Sequence, residues 1–80
     1  MDFASSAGKH GISRDDVLHA IRTAMAEFDQ HVDGDVRRLI VGASTTGELL
    51  EVVYLPSRDP ELIIHADRLR PKYFYLIDQR

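Results

Sequence analysis

Two apolar, β-branched runs lie four residues apart in this chain: Val36 to Ala43 and Glu48 to Leu55, separated by Ser44-Thr45-Thr46-Gly47. A link this short joins antiparallel neighbours, because a parallel return needs a crossover of roughly a dozen residues. Gly47 suits the left-handed position of a short hairpin turn. A third run, Leu62 to Ala66, follows the turn Pro56-Ser57-Arg58-Asp59-Pro60. The pattern predicts a three-stranded antiparallel meander.

One amphipathic helix is expected upstream, from Arg14 to about Phe28. Ser13 is a good N-cap, and Asp16 sits where its carboxylate can return the capping-box bond. Asp15 and Asp16 also suit the positive end of the helix dipole. Leu18, Ile21, Met25 and Phe28 fall at helical spacing, with Val17 and Ala24 widening the stripe. Asp29 to Asp35 is polar and reads as a loop. Asp2-Phe3-Ala4 suits a short N-terminal strand. Ser5 to His10 suits a short helix stopped by Gly11 in a left-handed conformation. The expected fold is α+β: the meander, with the short N-terminal strand, packed against one main helix.

Eighty residues make a single domain, residues 1–80. A domain this small buries only about 60% of the surface its unfolded chain exposes, so its stability is marginal. There is no cysteine, hence no disulfide and no thiolate metal site. No apolar run approaches the roughly 20 residues that span a membrane, and the N-terminus lacks a signal-peptide pattern. A cytoplasmic location is expected. The net charge of −3 counts against a general nucleic-acid binder, but its distribution is uneven. Acids gather from Asp15 to Asp35 and arginines from Arg58 onward, which allows one basic face.

That face would centre on the segment after the third strand. Asp67-Arg68-Leu69-Arg70-Pro71-Lys72-Tyr73-Phe74-Tyr75 holds three cations and three aromatics within eight residues. Cations attract phosphate and flat rings stack on bases. Pro71 would begin a terminal helical turn or an extended arm.

The ordered set of motifs resembles the BrnT-type toxins of bacterial toxin–antitoxin modules, within the RelE/ParE-like superfamily. The matching pieces are Lys9-His10-Gly11-Ile12-Ser13, Arg38-Leu39-Ile40-Val41-Gly42, Gly47-Glu48-Leu49-Leu50-Glu51-Val52-Val53-Tyr54 and Ile63-Ile64-His65-Ala66. They keep their order over roughly residues 9–76. The resemblance implies a RelE/BrnT-like domain that acts as a metal-independent endoribonuclease, cleaves RNA and so inhibits translation. It also implies a cognate antitoxin, often a ribbon-helix-helix protein, with operator DNA contacted only through the antitoxin complex. No cofactor is implied. Where the family reads Ser-Ala-Arg after the last strand, this chain reads His65-Ala66-Asp67.

Metal-free RNA cleavage needs an aligned 2′-hydroxyl, a group that takes its proton, and cations that stabilise charge on the phosphoryl oxygens. Histidine carries protons near neutral pH, and arginine and lysine hold phosphate. The candidate catalytic residues are His10, His65, Arg68 and Tyr73. The candidate phosphate contacts are Lys9, Arg38, Arg70 and Lys72. Each also has a plain structural use. His10 can bond a backbone carbonyl at a helix end, and His65 can be a satisfied strand residue, placed by simple alternation on the face of Ile63. Asp67 can orient His65 or an arginine, or cap the turn that follows. Arg68, Arg70 and Lys72 can be a solvated turn. No metal site is expected, because His10, His19, His31 and His65 lack ligand spacing. Two other functions fit the same residues: a non-catalytic protein-interaction module, and a gyrase-targeting toxin.

Overall fold

The computed structural model describes residues 1–77. Among the described residues the fold is α+β, with one five-stranded mixed sheet and one α-helix. The strands are β1 (Asp2–Phe3), β2 (Ala26–Val32), β3 (Asp35–Ala43), β4 (Leu49–Leu55) and β5 (Leu62–Arg68); the helix is α1 (Arg14–Arg22). Strand order across the sheet is β1-β5-β4-β3-β2. The short β1 runs parallel to β5, and every other pairing is antiparallel. The three expected strands correspond to β3, β4 and β5. Among the described residues no helix is long and apolar enough to cross a membrane.

The helix starts as its sequence suggests: the Ser13 Oγ accepts the Asp16 N–H at 3.2 Å. The Asp16 carboxylate does not close a capping box. Its Oδ1 accepts from the Thr45 backbone N–H (2.9 Å) and hydroxyl (2.6 Å), tying the first turn of α1 to the β3–β4 turn. Those bonds hold the Asp16 carboxyl below its ordinary range.

The expected helix, drawn to about Phe28, runs some six residues too far. It ends at Arg22, where the Thr23 hydroxyl donates to the His19 carbonyl (2.8 Å) and accepts from the Ala43 N–H (3.2 Å). The Met25 N–H then donates to the Val41 carbonyl at 2.8 Å and leads the chain into β2. Met25 and Phe28, which fit the helical stripe by spacing, are 56% and 45% exposed. The expected loop from Asp29 to Asp35 is also a strand and a tight turn. Val32 pairs with Asp35 across Asp33 and Gly34, whose φ values are 51° and 81°. Two positive φ values are what a two-residue type I′ hairpin turn requires, and Asp-Gly is a preferred pair for it.

The apolar core lies between α1 and one face of the sheet. Val17 and Ala20 of α1 cluster with Ile40, Leu50, Val52, Tyr54, Ile63 and Ala66, and Ala7 of the 3-10 turn Ser5–Gly8 joins them. The helix sits so close to β3 that a Cβ on Gly42 would lie 1.9 Å from the Ala20 carbonyl oxygen. Only glycine fits there.

A β-bulge sets which side chains of β5 reach that core. Val53 pairs with His65 but Tyr54 pairs with Ile63, so Ile64 is one residue extra on β5. Ile63 and Ala66 are therefore both buried against α1 although three residues apart. His65 does not share a face with Ile63, as simple alternation implies. It lies with Asp67 on the opposite face. The Ser6 hydroxyl donates to the Ile64 carbonyl at 2.6 Å, satisfying the bulge from the 3-10 turn.

Candidate functional site

The second face of the sheet carries a polar cluster built around Glu51. Strand alternation turns Leu50, Val52 and Tyr54 to α1 and Glu51 and Val53 away from it. Register places Glu51 opposite Asp67, with His65 two residues away on the same face. Past β5 the ladder with β4 continues one more step in the same register: the Leu69 N–H donates to the Leu49 carbonyl at 3.0 Å. This brings Arg70, just before the 3-10 turn Pro71–Leu76, onto Glu51.

Glu51 is fully buried yet saturated with donors. Its Oε1 accepts the Arg70 backbone N–H at 2.9 Å. Its Oε2 takes the Arg70 Nε at 2.9 Å, the Arg70 Nη2 at 2.5 Å and the His65 Nε2 at 2.8 Å. Burial pushes the Glu51 carboxyl up, but the bonds from the Arg70 guanidinium and backbone, and then from His65, outweigh it and hold it below its ordinary range. The Arg70 guanidinium is raised in turn, chiefly by its bonds to Glu51.

His10 completes the cluster from the loop that follows the Ser5–Gly8 turn. Its ring stands edge-on to His65, with centroids 5.5 Å apart and planes at 75°. Its Nδ1 lies 3.7 Å from the Asp67 Oδ2. The other Asp67 oxygen accepts the Arg68 N–H at 2.7 Å, so Asp67 caps β5 and not the turn beginning at Pro71. The Tyr73 ring carries both the Arg70 guanidinium, 5.6 Å from its centroid, and the Lys72 ammonium at 5.0 Å. About a third of the His10 side chain and a quarter of that of His65 are exposed, so both rings meet solvent.

The candidate residues therefore divide. His10, His65, Arg70, Lys72 and Tyr73 form one run of contacts through Glu51 and Asp67, and exposed Lys9 adjoins His10. Arg68 does not join them: it pairs in register with Leu50 on the α1 side, and its Nε is 3.5 Å from exposed Glu48. Arg38 is also on the α1 side. It bonds Asp29 through Nε (2.8 Å) and Nη2 (3.0 Å), lies 2.8 Å from Glu27, and covers the Tyr54 ring. His19 has a structural role, with its Nδ1 2.7 Å from the Ala43 carbonyl. Among the described residues no three His, Asp or Glu side chains gather as a metal-ligand set.

Glu51 is the centre of this cluster that sequence reasoning passed over. Its signal was a single carboxylate inside Leu49-Leu50-Glu51-Val52-Val53, since a charge in a buried strand needs a partner. Comparison with known proteins gives no matching family, no matching curated protein and no matching solved structure.

Proposed function

We propose that this domain is a toxin-like, metal-independent endoribonuclease of the RelE/BrnT kind, inhibited by a cognate antitoxin. The observation that supports it is the pairing of His10 and His65, two solvent-reached imidazoles 5.5 Å apart, each beside a different carboxylate. Two such rings supply both proton transfers of RNA cleavage. One takes the proton of the 2′-hydroxyl as its oxygen attacks phosphorus. The other gives a proton to the 5′-oxygen as the P–O5′ bond breaks. The products are a 2′,3′-cyclic phosphate and a 5′-hydroxyl end. Lys9 and Lys72 lie on either side of the cluster in sequence and supply positive charge for the phosphoryl oxygens. Tyr73 holds the Arg70 and Lys72 cations over its ring and so fixes where that charge lies beside the cluster.

The test is cleavage of RNA by the purified chain in a chelator. Cyclic-phosphate ends should form, and His10→Ala and His65→Ala should each slow the reaction about 100-fold or more. Induced expression in bacteria should arrest growth, and the antitoxin should relieve it. Intact RNA and unimpaired growth would sink this reading.

A second reading has its own support: the domain is a non-catalytic interaction module. Arg38, Arg68 and Arg70 each face an acid, at Asp29, Glu48 and Glu51, which leaves less free positive charge for RNA than the sequence suggests. Tight partner binding with RNA left intact would favour it.

A further inference from the structure

The two histidines differ in what stands behind them, and the difference assigns their roles. We infer that Glu51 is a positioning residue that fixes the tautomer of His65, making Nδ1 of His65 the base and Nε2 of His10 the acid. This rests on the ribonuclease reading above.

The argument begins at Glu51. An ionised carboxylate only accepts hydrogen bonds. At Oε2 the 2.8 Å contact from His65 therefore requires a proton on Nε2. A neutral imidazole carries one proton, so its Nδ1 holds a free lone pair. Glu51 is ionised because Arg70 closes on it with the backbone N–H, Nε and Nη2. Arg70 also offsets the carboxylate charge, so Glu51 orients His65 while its charge is already matched.

His10 has the opposite setting. Its Nδ1 faces Asp67, and among the described residues no arginine or lysine forms an ion pair with Asp67. At 3.7 Å that carboxylate is outside hydrogen-bond reach and acts on the ring through its charge, which favours a proton on the nearer nitrogen, Nδ1. When His10 gives up its Nε2 proton, the tautomer left behind keeps the proton on Nδ1. The proton count then closes. His65 Nδ1 gains the 2′-hydroxyl proton and becomes imidazolium. His10 loses its Nε2 proton to the 5′-oxygen and becomes neutral.

The direct test is nitrogen NMR of the full chain labelled in histidine, which separates the two neutral tautomers of each ring. At about pH 8, above the usual imidazole range, the His65 proton should sit on Nε2. In Glu51→Gln the amide can donate as well as accept, and that preference should collapse to a mixture or invert. On RNA, Glu51→Gln should lower kcat about 100-fold with KM changed less than about threefold. The double variant with His65→Ala should be no slower than His65→Ala alone. A His65 proton on Nδ1 in an active wild-type chain overturns the inference and leaves the ribonuclease reading standing. So does a Glu51→Gln chain with unchanged tautomer and rate. Should Glu51→Gln not fold, the wild-type tautomer still decides. Absence of cleavage by the wild type overturns the ribonuclease reading itself, and the catalytic half of the inference with it.

Discussion

On the face of β4 turned to α1, Leu50, Val52 and Tyr54 are buried among apolar side chains. On the other face of the same strand, Glu51 is buried just as deeply among an arginine, a histidine and a backbone N–H. The first face is stabilised by removing apolar surface from water, about 1.5–3 kcal/mol for each large side chain, with little demand on direction. The second is stabilised only while every donor stays in place, because an unpaired buried carboxylate costs several kcal/mol. The comparison teaches that burial alone does not say what a residue contributes. One face tolerates change of shape within limits, and the other tolerates almost no change of chemistry. Chemistry that must be held in one orientation therefore belongs on the second face, where His65 is found.

The largest effect expected from breaking this contrast is at Glu51. Glu51→Ala should destabilise the domain by about 3 kcal/mol, the low end for breaking a buried pair, because Arg70 is 42% exposed and regains water. Chemical denaturation measures this, and a loss under about 1 kcal/mol would show that the network contributes little. Gly42→Ala strikes the apolar face by overpacking, since its Cβ meets the Ala20 backbone and not a flexible side chain. A loss of about 2 kcal/mol is expected in the same measurement, and wild-type stability would mean that α1 is free to lift from β3.

Acid separates the two faces more finely. The Glu51 carboxyl is lowered in the folded chain, so its contribution is fully present above the ordinary value of 4.5 and is lost as pH falls through the folded value. The unfolded chain takes the proton first, so stability must fall with falling pH. Thermal melts from about pH 6 to pH 3 should show that fall, and Glu51→Gln should flatten part of it. The remainder belongs to Asp16 and Asp29, which are also lowered, by Thr45 and Arg38. An identical slope in Glu51→Gln would detach the network from acid stability. The smallest effect is expected from Arg38→Ala, because solvent screens its ion pairs with Asp29 and Glu27; denaturation should register a smaller loss than for either Glu51→Ala or Gly42→Ala, and a loss as large as theirs would show that the pairs matter.

Much of this arrangement is legible in the chain, and what is not has physical causes. β3, β4 and β5 differ from their expected ranges by one residue at β3 and β4 and two at β5, because continuous β-branched runs between turn residues leave few alternatives. Ser13 marks the start of α1 for an equally local reason. β2 was hidden because Met25 and Phe28 happen to continue the spacing of Leu18 and Ile21. Its strand character comes from pairing along β3, and only Asp33-Gly34 announces that pairing locally. His10 and His65 were legible as candidates from their place beside strand and loop ends. Their partners were not, because Glu51 lies 14 residues from His65 and 19 from Arg70 and meets them only across the sheet.

Ile64 is the one residue of β5 that the register with β4 can spare. Without it, Ile63 opposite Tyr54 and His65 opposite Val53 would be consecutive on both strands, and the alternation would run unbroken. His65 and Asp67 would keep the face of Glu51, and Ala66 would keep the face of α1. A single-codon deletion there would therefore leave core and cluster on their own sides. What it would remove is the carbonyl that holds the Ser6 hydroxyl, and with it a tie between β5 and the segment that leads to His10.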